Sequence, residues 1–286
     1  MTATSPVIAV HAGAGEWSDD AATGIAACAE ALDAGVEALA NGASALDAVV
    51  AAVRVFEINP QCNAGTGAVL TANGELELDA SVMDGSSLRS GAVGALPPFE
   101  HPVDVARAVL EDGRYHLLTG DGAAQFAQAR GFVRADPERM ITERRRAELR
   151  QGIHTTGNTV GAVARDQRGH LASATSTGGI AGTEPGRLGD TPIVGAGTYA
   201  NAHAACSCTG HGEAFARACA AFWATEHIRK GAQQTADDAV AKVRDDFGGY
   251  GGLILLDAHG KVGISRTAAN MPHGVGRPDA EHVVGI

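Results

Sequence analysis

Gln151-Gly152-Ile153-His154-Thr155-Thr156-Gly157-Asn158-Thr159-Val160-Gly161-Ala162-Val163-Ala164 is the stretch in which the pattern of the chain changes abruptly. Up to Asn158 it is short, polar and rich in Gly and Thr, the signature of a connecting segment. From Thr159 onward it reads as a strand, paired across Asp166-Gln167-Arg168-Gly169 with a second strand over 170–175. A linker therefore ends where a new sheet begins, and a charged helical segment over 136–149 lies immediately before it.

Upstream, 7–11 reads as a strand that runs into the glycine-rich His11-Ala12-Gly13-Ala14-Gly15, and 21–39 has helical apolar spacing that stops at Asn41-Gly42. Ser44-Ala45-Leu46-Asp47 is a capping box for a helix reaching about residue 57. Segments 68–70 and 75–83 flank Asn73-Gly74, a dipeptide suited to a tight hairpin, with a third strand over 91–96. Pro102 opens a helix ending near Gly113, and 123–130 gives another. Downstream come strands over 193–199 and 204–208, helices over 212–229 and 236–246, and a hairpin of 253–256 with 262–265. Thr235 with Asp238 gives the second of those helices a capping-box start. There is no internal repeat. Strands grouped in hairpins and helices grouped in runs predict an α+β fold of two sheets covered by helix layers, rather than an alternating βαβ sheet.

The 286 residues suffice for one large domain or two small ones, and no apolar run is long enough to span a membrane. Residues 1–10 have no basic region and read as the approach to a first strand rather than a secretory signal, so a cytoplasmic location is expected. Cys28, Cys62, Cys206, Cys208 and Cys219 are scattered without a CxxC and are expected to be buried thiols. A net charge of −11 argues against a nucleic-acid partner. Arg144, Arg145, Arg146 and Arg150 interleave with Glu143 and Glu148 as a solvated helix face does. Glycine is abundant, 38 residues without a repeat period, which assigns it to tight turns and close backbone approaches.

Four polar clusters, each beside glycine, lie within 158–213: Asn158-Thr159-Val160-Gly161, Thr175-Ser176-Thr177-Gly178-Gly179, Gly186-Arg187-Leu188-Gly189-Asp190 and Cys208-Thr209-Gly210-His211-Gly212-Glu213. Alone, a threonine opening a strand is ordinary β-propensity, and Arg187 with Asp190 a surface ion pair. Together, and with His11-Ala12-Gly13-Ala14-Gly15, Asn63-Ala64-Gly65-Thr66-Gly67, Leu78-Asp79-Ala80-Ser81-Val82-Met83-Asp84-Gly85 and Gly251-Gly252-Leu253-Ile254, the chain resembles the plant-type asparaginase and isoaspartyl peptidase family of N-terminal-nucleophile (Ntn) hydrolases. The resemblance covers nearly the whole chain.

It implies an αββα sandwich, a single domain over 1–286, cut before Thr159 into an α subunit, 1–158, and a β subunit, 159–286, assembled as an (αβ)2 pair. The implied substrates are L-asparagine and β-aspartyl dipeptides, with no cofactor required. By resemblance Thr159 is the nucleophile, Thr177 orients its hydroxyl, and Thr209 with the Gly210 N–H forms the oxyanion hole. Arg187 grips the substrate α-carboxylate and Asp190 its α-ammonium, with Gly212 and Asn63 nearby. A structural sodium ion is implied on backbone carbonyls of Phe56, Glu57, Asn59, Cys62, Ala64 and Thr66. The need for the cut has its own physical reason. A threonine hydroxyl needs a base, an internal amide nitrogen is not one, and a freed α-amine with a pKa of about 7.7 to 8.0 is.

Three departures from the family pattern bear on the rate of self-cleavage: Ala12 where the opening is usually His-Gly-Gly, Asn158 where glycine usually precedes the nucleophile, and a short linker. Two related readings are a glycosylasparaginase, disfavoured by the missing signal and disulfide spacing, and an unprocessed inactive homologue. From another class, Gly195-Ala196-Gly197-Thr198-Tyr199-Ala200 imitates a dinucleotide-binding fingerprint, but the residues after it read as loop and strand, not as the required helix.

Overall fold

The computed structural model describes residues 5–15, 17, 21–153 and 158–286. In chain order the elements are β1 (Val7–His11), α1 (Ala22–Ala40), α2 (Ala45–Ile58), β2 (Leu78–Asp84), β3 (Arg89–Leu96), α3 (Pro102–Asp112), β4 (Leu117–Thr119), α4 (Gly120–Gln128), α5 (Pro137–Met140) and α6 (Glu143–Arg150). After the linker come β5 (Val160–Arg165), β6 (Leu171–Thr177), β7 (Thr198–Ala200), β8 (Ala204–Gly210), α7 (Gly212–Ala218), α8 (Ala220–Glu226), a 3-10 turn, α9 (Ala232–Phe247), β9 (Gly251–Asp257), β10 (Val262–Arg266), β11 (His273–Arg277) and β12 (Ala280–Gly285).

The strands form an eight-stranded sheet, β12-β11-β1-β5-β6-β2-β3-β4, and a four-stranded sheet, β10-β9-β8-β7. Strand periodicity explains how they stack. In β1, Ile8 and Val10 pack under α1 and α2, while Val7 and Ala9 face the second sheet. In β9, Leu253 and Leu255 pack under α7 to α9, while Ile254 and Leu256 face back. Strands buried on both faces read as unbroken apolar runs rather than alternating ones. The layers are thus helix, sheet, sheet, helix, the α+β αββα sandwich expected from the sequence. The strand that begins just after Thr159 lies near the middle of the larger sheet, between β1 and β6.

The Ser44–Asp47 capping box is formed, each residue's side chain accepting from the other's backbone N–H, and Gly113 closes α3 with φ 72°. Several expectations need correction. Residues 68–70 are not a strand: Asn73-Gly74 does make a tight turn, with Gly74 at φ 82°, but β2 pairs instead with β3 and β6. The charged helix over 136–149 breaks at Ile141, because Thr142 accepts from the Arg145 N–H and starts a new helix. The helix expected over 212–229 breaks at Cys219, whose φ of 46° cannot continue it, and that cysteine is exposed rather than buried. Thr235 lies inside α9, its hydroxyl donating to the His227 carbonyl, so Gly231 rather than a capping box begins that helix. The strand expected over 193–199 starts only at Thr198, as β7, so that a strand rather than a helix follows the Gly195–Gly197 turn. β4, β11 and β12 were not foreseen. Among the described residues no helix is long and apolar enough to cross a membrane.

Arg145 is the other correction. Instead of lying on a solvated face it is buried, its Nε donating to the Gly67 carbonyl at 2.7 Å and its Nη1 to Glu148 at 2.8 Å. Beside it Arg144 donates to the Pro60 and Gln61 carbonyls. Arg144 and Arg145 therefore dock α6 onto the loop after α2, while Arg146 and Arg150 pair with the exposed Glu138 and Glu143.

Candidate active site

Antiparallel pairing sets Val160 opposite Ser176 and thereby brings Thr159 against Thr177 at the ends of β5 and β6. The Thr159 hydroxyl donates to Thr177 Oγ1 at 3.1 Å, and Thr177 Oγ1 also accepts the Gly179 N–H at 3.0 Å. Both threonines are buried. From the facing sheet, Thr209 near the end of β8 accepts the Ala14 N–H at 3.0 Å, which leaves its own hydroxyl proton free to be donated. Gly210 follows with φ 136°, and a Cβ there would meet the Gly251 Cα and the Tyr250 carbonyl at 2.4 Å. Only glycine lets this N–H lie where it does.

Thr159, Thr177, Arg187, Asp190, Gly210 and Gly212 line one cavity. Its cationic end is Arg187, which donates through Nε and Nη2 to Glu213 Oε1 at 2.9 and 2.8 Å rather than to Asp190. Asp190 is buried, and among the described residues its Oδ2 has no partner. Burial pushes its carboxyl up to about 7, against the pull of the Arg187 charge. A Cβ on Gly212 would stand 2.9 Å from Arg187 Nη2 and 3.0 Å from Asp190 Oδ1. The two charges thus converge on a position kept open by a missing side chain. An opposed cation and anion a few ångströms apart suit the head group of an α-amino acid.

Asn63 does not line this cavity. Its amide is spent on backbone, Nδ2 donating to the Gly179 carbonyl and Oδ1 accepting the Val69 N–H, both at 2.8 Å, so it braces the turn behind Thr177. At the predicted cleavage point the Asn158 Cα lies only 2.4 Å from where a Cβ on Gly13 would sit. The left-handed conformation in the opening loop falls on Gly13, φ 110°, and Ala12 is buried with ordinary φ. The departure at Ala12 therefore imposes no backbone strain.

A family model described as asparaginase matches residues 4–158 and 150–286, two segments that overlap in the linker. The chain belongs to the asparaginase family. It is 41% identical to the isoaspartyl peptidase of Salmonella typhimurium over 93% of each chain, and 40% identical to the human isoaspartyl peptidase/L-asparaginase over 94% of this chain and 92% of that one. The isoaspartyl peptidase of Escherichia coli is 41% identical, covering 90% of this chain and 88% of its own.

This asparaginase-family chain also carries site residues to which the sequence reading gave no role. A buried run of hydroxyls joins the two sheets: Ser81 donates to Thr198, Thr198 to Thr175 at 2.5 Å, Thr175 bonds Ser207 at 2.8 Å, and Ser207 bonds His11 Nε2 at 2.9 Å. The His11 ring lies beside the Thr159 carbonyl, and burial lowers its pKa to about 3. A Cβ on Gly161 would fall 2.0 Å from Ser207 Oγ, so the glycine of Thr159-Val160-Gly161 makes room for this network. Glu213 is the Arg187 partner, legible in hindsight from its place in the Gly210–Glu213 motif. Asp79 is, after Asp190, a second buried carboxyl beside the 187–190 turn, likewise pushed up to about 7 by burial.

Among the carbonyls expected to hold sodium, Phe56, Glu57 and Asn59 each accept one backbone N–H, from Asn59, Thr66 and Cys62. A carbonyl oxygen has two lone pairs, and the Arg144 and Arg145 guanidinium groups sit on carbonyls outside the set. The donors are thus all neutral oxygens with capacity left, which fits a hard monovalent cation.

Proposed function

We propose that this chain is an autoprocessing threonine amidohydrolase, cut between Asn158 and Thr159 into subunits 1–158 and 159–286, that hydrolyses L-asparagine and β-aspartyl dipeptides. The observation that carries the reading is that the Thr159 hydroxyl and the Arg187/Asp190 pair line the same cavity. In self-cleavage the Thr159 hydroxyl attacks the Asn158 carbonyl carbon, the Asn158–Thr159 amide passes to an ester, and water releases the Asn158 carboxylate and a free Thr159 amine. That amine then takes the proton of its own hydroxyl as the oxygen attacks the substrate side-chain amide. Thr209 and the Gly210 N–H stabilise the oxyanion, the proton passes to the departing ammonia or amino acid, and water cleaves the β-aspartyl ester to aspartate.

The cavity has about 10 Å3 of room for a water-sized molecule, enough for about one water. In the uncut chain that room is too small for an amino acid, and the cut that frees the base also releases Thr159 from Asn158, which is packed on Gly13. Substrate entry sets its ammonium against Asp190 and its carboxylate against Arg187, and the ammonium holds Asp190 ionised. No step runs through the sodium site. An ion held by the 56–66 carbonyls would stiffen the loop from which Asn63 braces Gly179, and its removal would lower the melting temperature. An (αβ)2 assembly and a cytoplasmic location belong to the same reading, the latter supported by five cysteines that form no disulfide.

Incubated protein should release ammonia from L-asparagine, and the C-terminal residue from a β-aspartyl dipeptide. Thr159→Ala should abolish both activities together with self-cleavage. Full turnover by that variant would sink the mechanism, and an uncut wild-type chain without turnover would favour an inactive homologue.

A further inference from the structure

Asp79 belongs to the Leu78-Asp79-Ala80-Ser81 motif, but none of the steps above uses it. It stands directly across from Thr177 on the neighbouring strand. On its other side the pairing of β2 with β3 slips: Leu78 faces Leu96 and Ala80 faces Val93, so Gly94 and Ala95 together oppose Asp79 alone. Such a bulge bends the strand and re-aims side chains. Ala95 is held in the left-handed region at φ 46°, where a residue with a Cβ is rare. Asp79 Oδ1 accepts the Ala95 N–H at 2.8 Å, and the Gly189 amide, in the turn that carries Arg187 and Asp190, lies near enough to the carboxylate to favour its charged form. Leu188 from that turn rests on Gly94, where a Cβ would meet its Cδ2 at 2.7 Å. A buried carboxyl, a bulge, a left-handed alanine and the bare face of a glycine all converge on one short turn.

We propose that Asp79 is a positioning residue for substrate binding, fixing the 187–190 turn so that Arg187 and Asp190 stand at the separation that grips an α-amino acid. The proposal rests on the amidohydrolase reading. Asp79 touches no substrate: its carboxylate, fixed on the Ala95 N–H, lies beside the Gly189 amide and attracts it, and with it the backbone from which both gripping side chains project. Because it opposes Thr177 in the sheet, the same residue ties the clamp to the strand that orients the nucleophile. The groups facing Asp79 are Arg187 and Glu77, and those facing Asp190 are Arg187, Glu213 and Asp79, with the Cys208 thiol nearby.

The test is steady-state kinetics on L-asparagine over a pH series, with Asp79→Asn and Leu188→Ala beside wild type and self-cleavage followed by mass. In Asp79→Asn, KM should rise about tenfold or more while kcat changes less than about threefold, as for loss of a charged hydrogen bond felt in binding. The pH below which KM climbs should also fall by about half a unit or more, because a buried negative neighbour of Asp190 is gone. Leu188 is half-buried, so Leu188→Ala should fold; it loosens the turn without changing charge, and should raise KM with no shift in pH. Asp79→Asn with KM within about twofold of wild type and an unmoved pH profile overturns the proposal. If that variant fails to fold, an unchanged KM in Leu188→Ala overturns it instead. Wild type that neither cuts itself nor releases ammonia removes the functional reading, whereas active wild type beside an unaffected Asp79→Asn removes this inference alone.

Discussion

Thr159 has an ordinary hydroxyl and an ordinary place before a strand; what distinguishes it is the company that the sheet register supplies. The residues expected from the sequence to share its surroundings, Thr177, Arg187, Asp190, Gly210 and Gly212, line the same cavity, while Thr209, next to Gly210, is buried outside that lining with its hydroxyl on the Ala14 N–H, and Asn63 stands behind it. Those residues were legible because each sits in a compact polar motif beside glycine. His11, Ser207, Thr175, Thr198 and Ser81 were not, because a buried hydroxyl in a strand looks like β-propensity until the partner across the sheets is known. At this scale Arg187→Ala should still permit self-cleavage but reduce kcat/KM for L-asparagine by about a hundredfold or more, since a half-buried charge partner of the substrate is lost. Unchanged kinetics would remove Arg187 from the site. His11 makes a second, pH-dependent prediction. The unfolded chain protonates this ring near its ordinary 6.5, the folded chain only near 3, so between those values the unfolded state binds more protons. The His11 contribution is full above 6.5 and is lost as pH falls toward 3. Urea unfolding from pH 7 to 4 should therefore show a shallower loss of stability in His11→Gln than in wild type; parallel curves would contradict the assignment.

At the scale of elements, periodicity and caps carried most of the information. The Ser44 capping box and the Gly113 stop were read directly, because the side chain or glycine that ends a helix is local. Failures came where tertiary contacts decide. Thr142 restarts a helix so that Arg145 can turn inward to the Gly67 carbonyl, and no charge pattern distinguishes a buried arginine from its exposed neighbours. β11 and the edge strand β12 are rich in glycine and polar residues, and form because β1 offers an edge to β11 and β11 in turn offers one to β12. The account expects Arg145→Ala to lower stability by about 1–3 kcal/mol, the cost of stranding the Gly67 carbonyl and Glu148, and calorimetry would detect the shift. No change in melting temperature would mean that α6 does not depend on this anchor.

Across the whole molecule, two sheets face each other so that the nucleophile comes from the middle of one and its expected oxyanion donors from the end of the other. The linker closes the arrangement, its last residue packed on Gly13 and its next one bonded to Thr177. The α+β class and the strand that begins just after Thr159 were readable in the sequence because the pattern changes there from charged helix to apolar strand. The closeness of Asn158 to Gly13 was not, since it depends on the fold bringing residues 13 and 158 together. Everything proposed for turnover depends on that junction opening. Intact-mass measurement of the purified chain during incubation tests it most directly: the account expects two fragments, 1–158 and 159–286, appearing together with asparaginase activity, and a chain that stays whole while hydrolysing L-asparagine would contradict it.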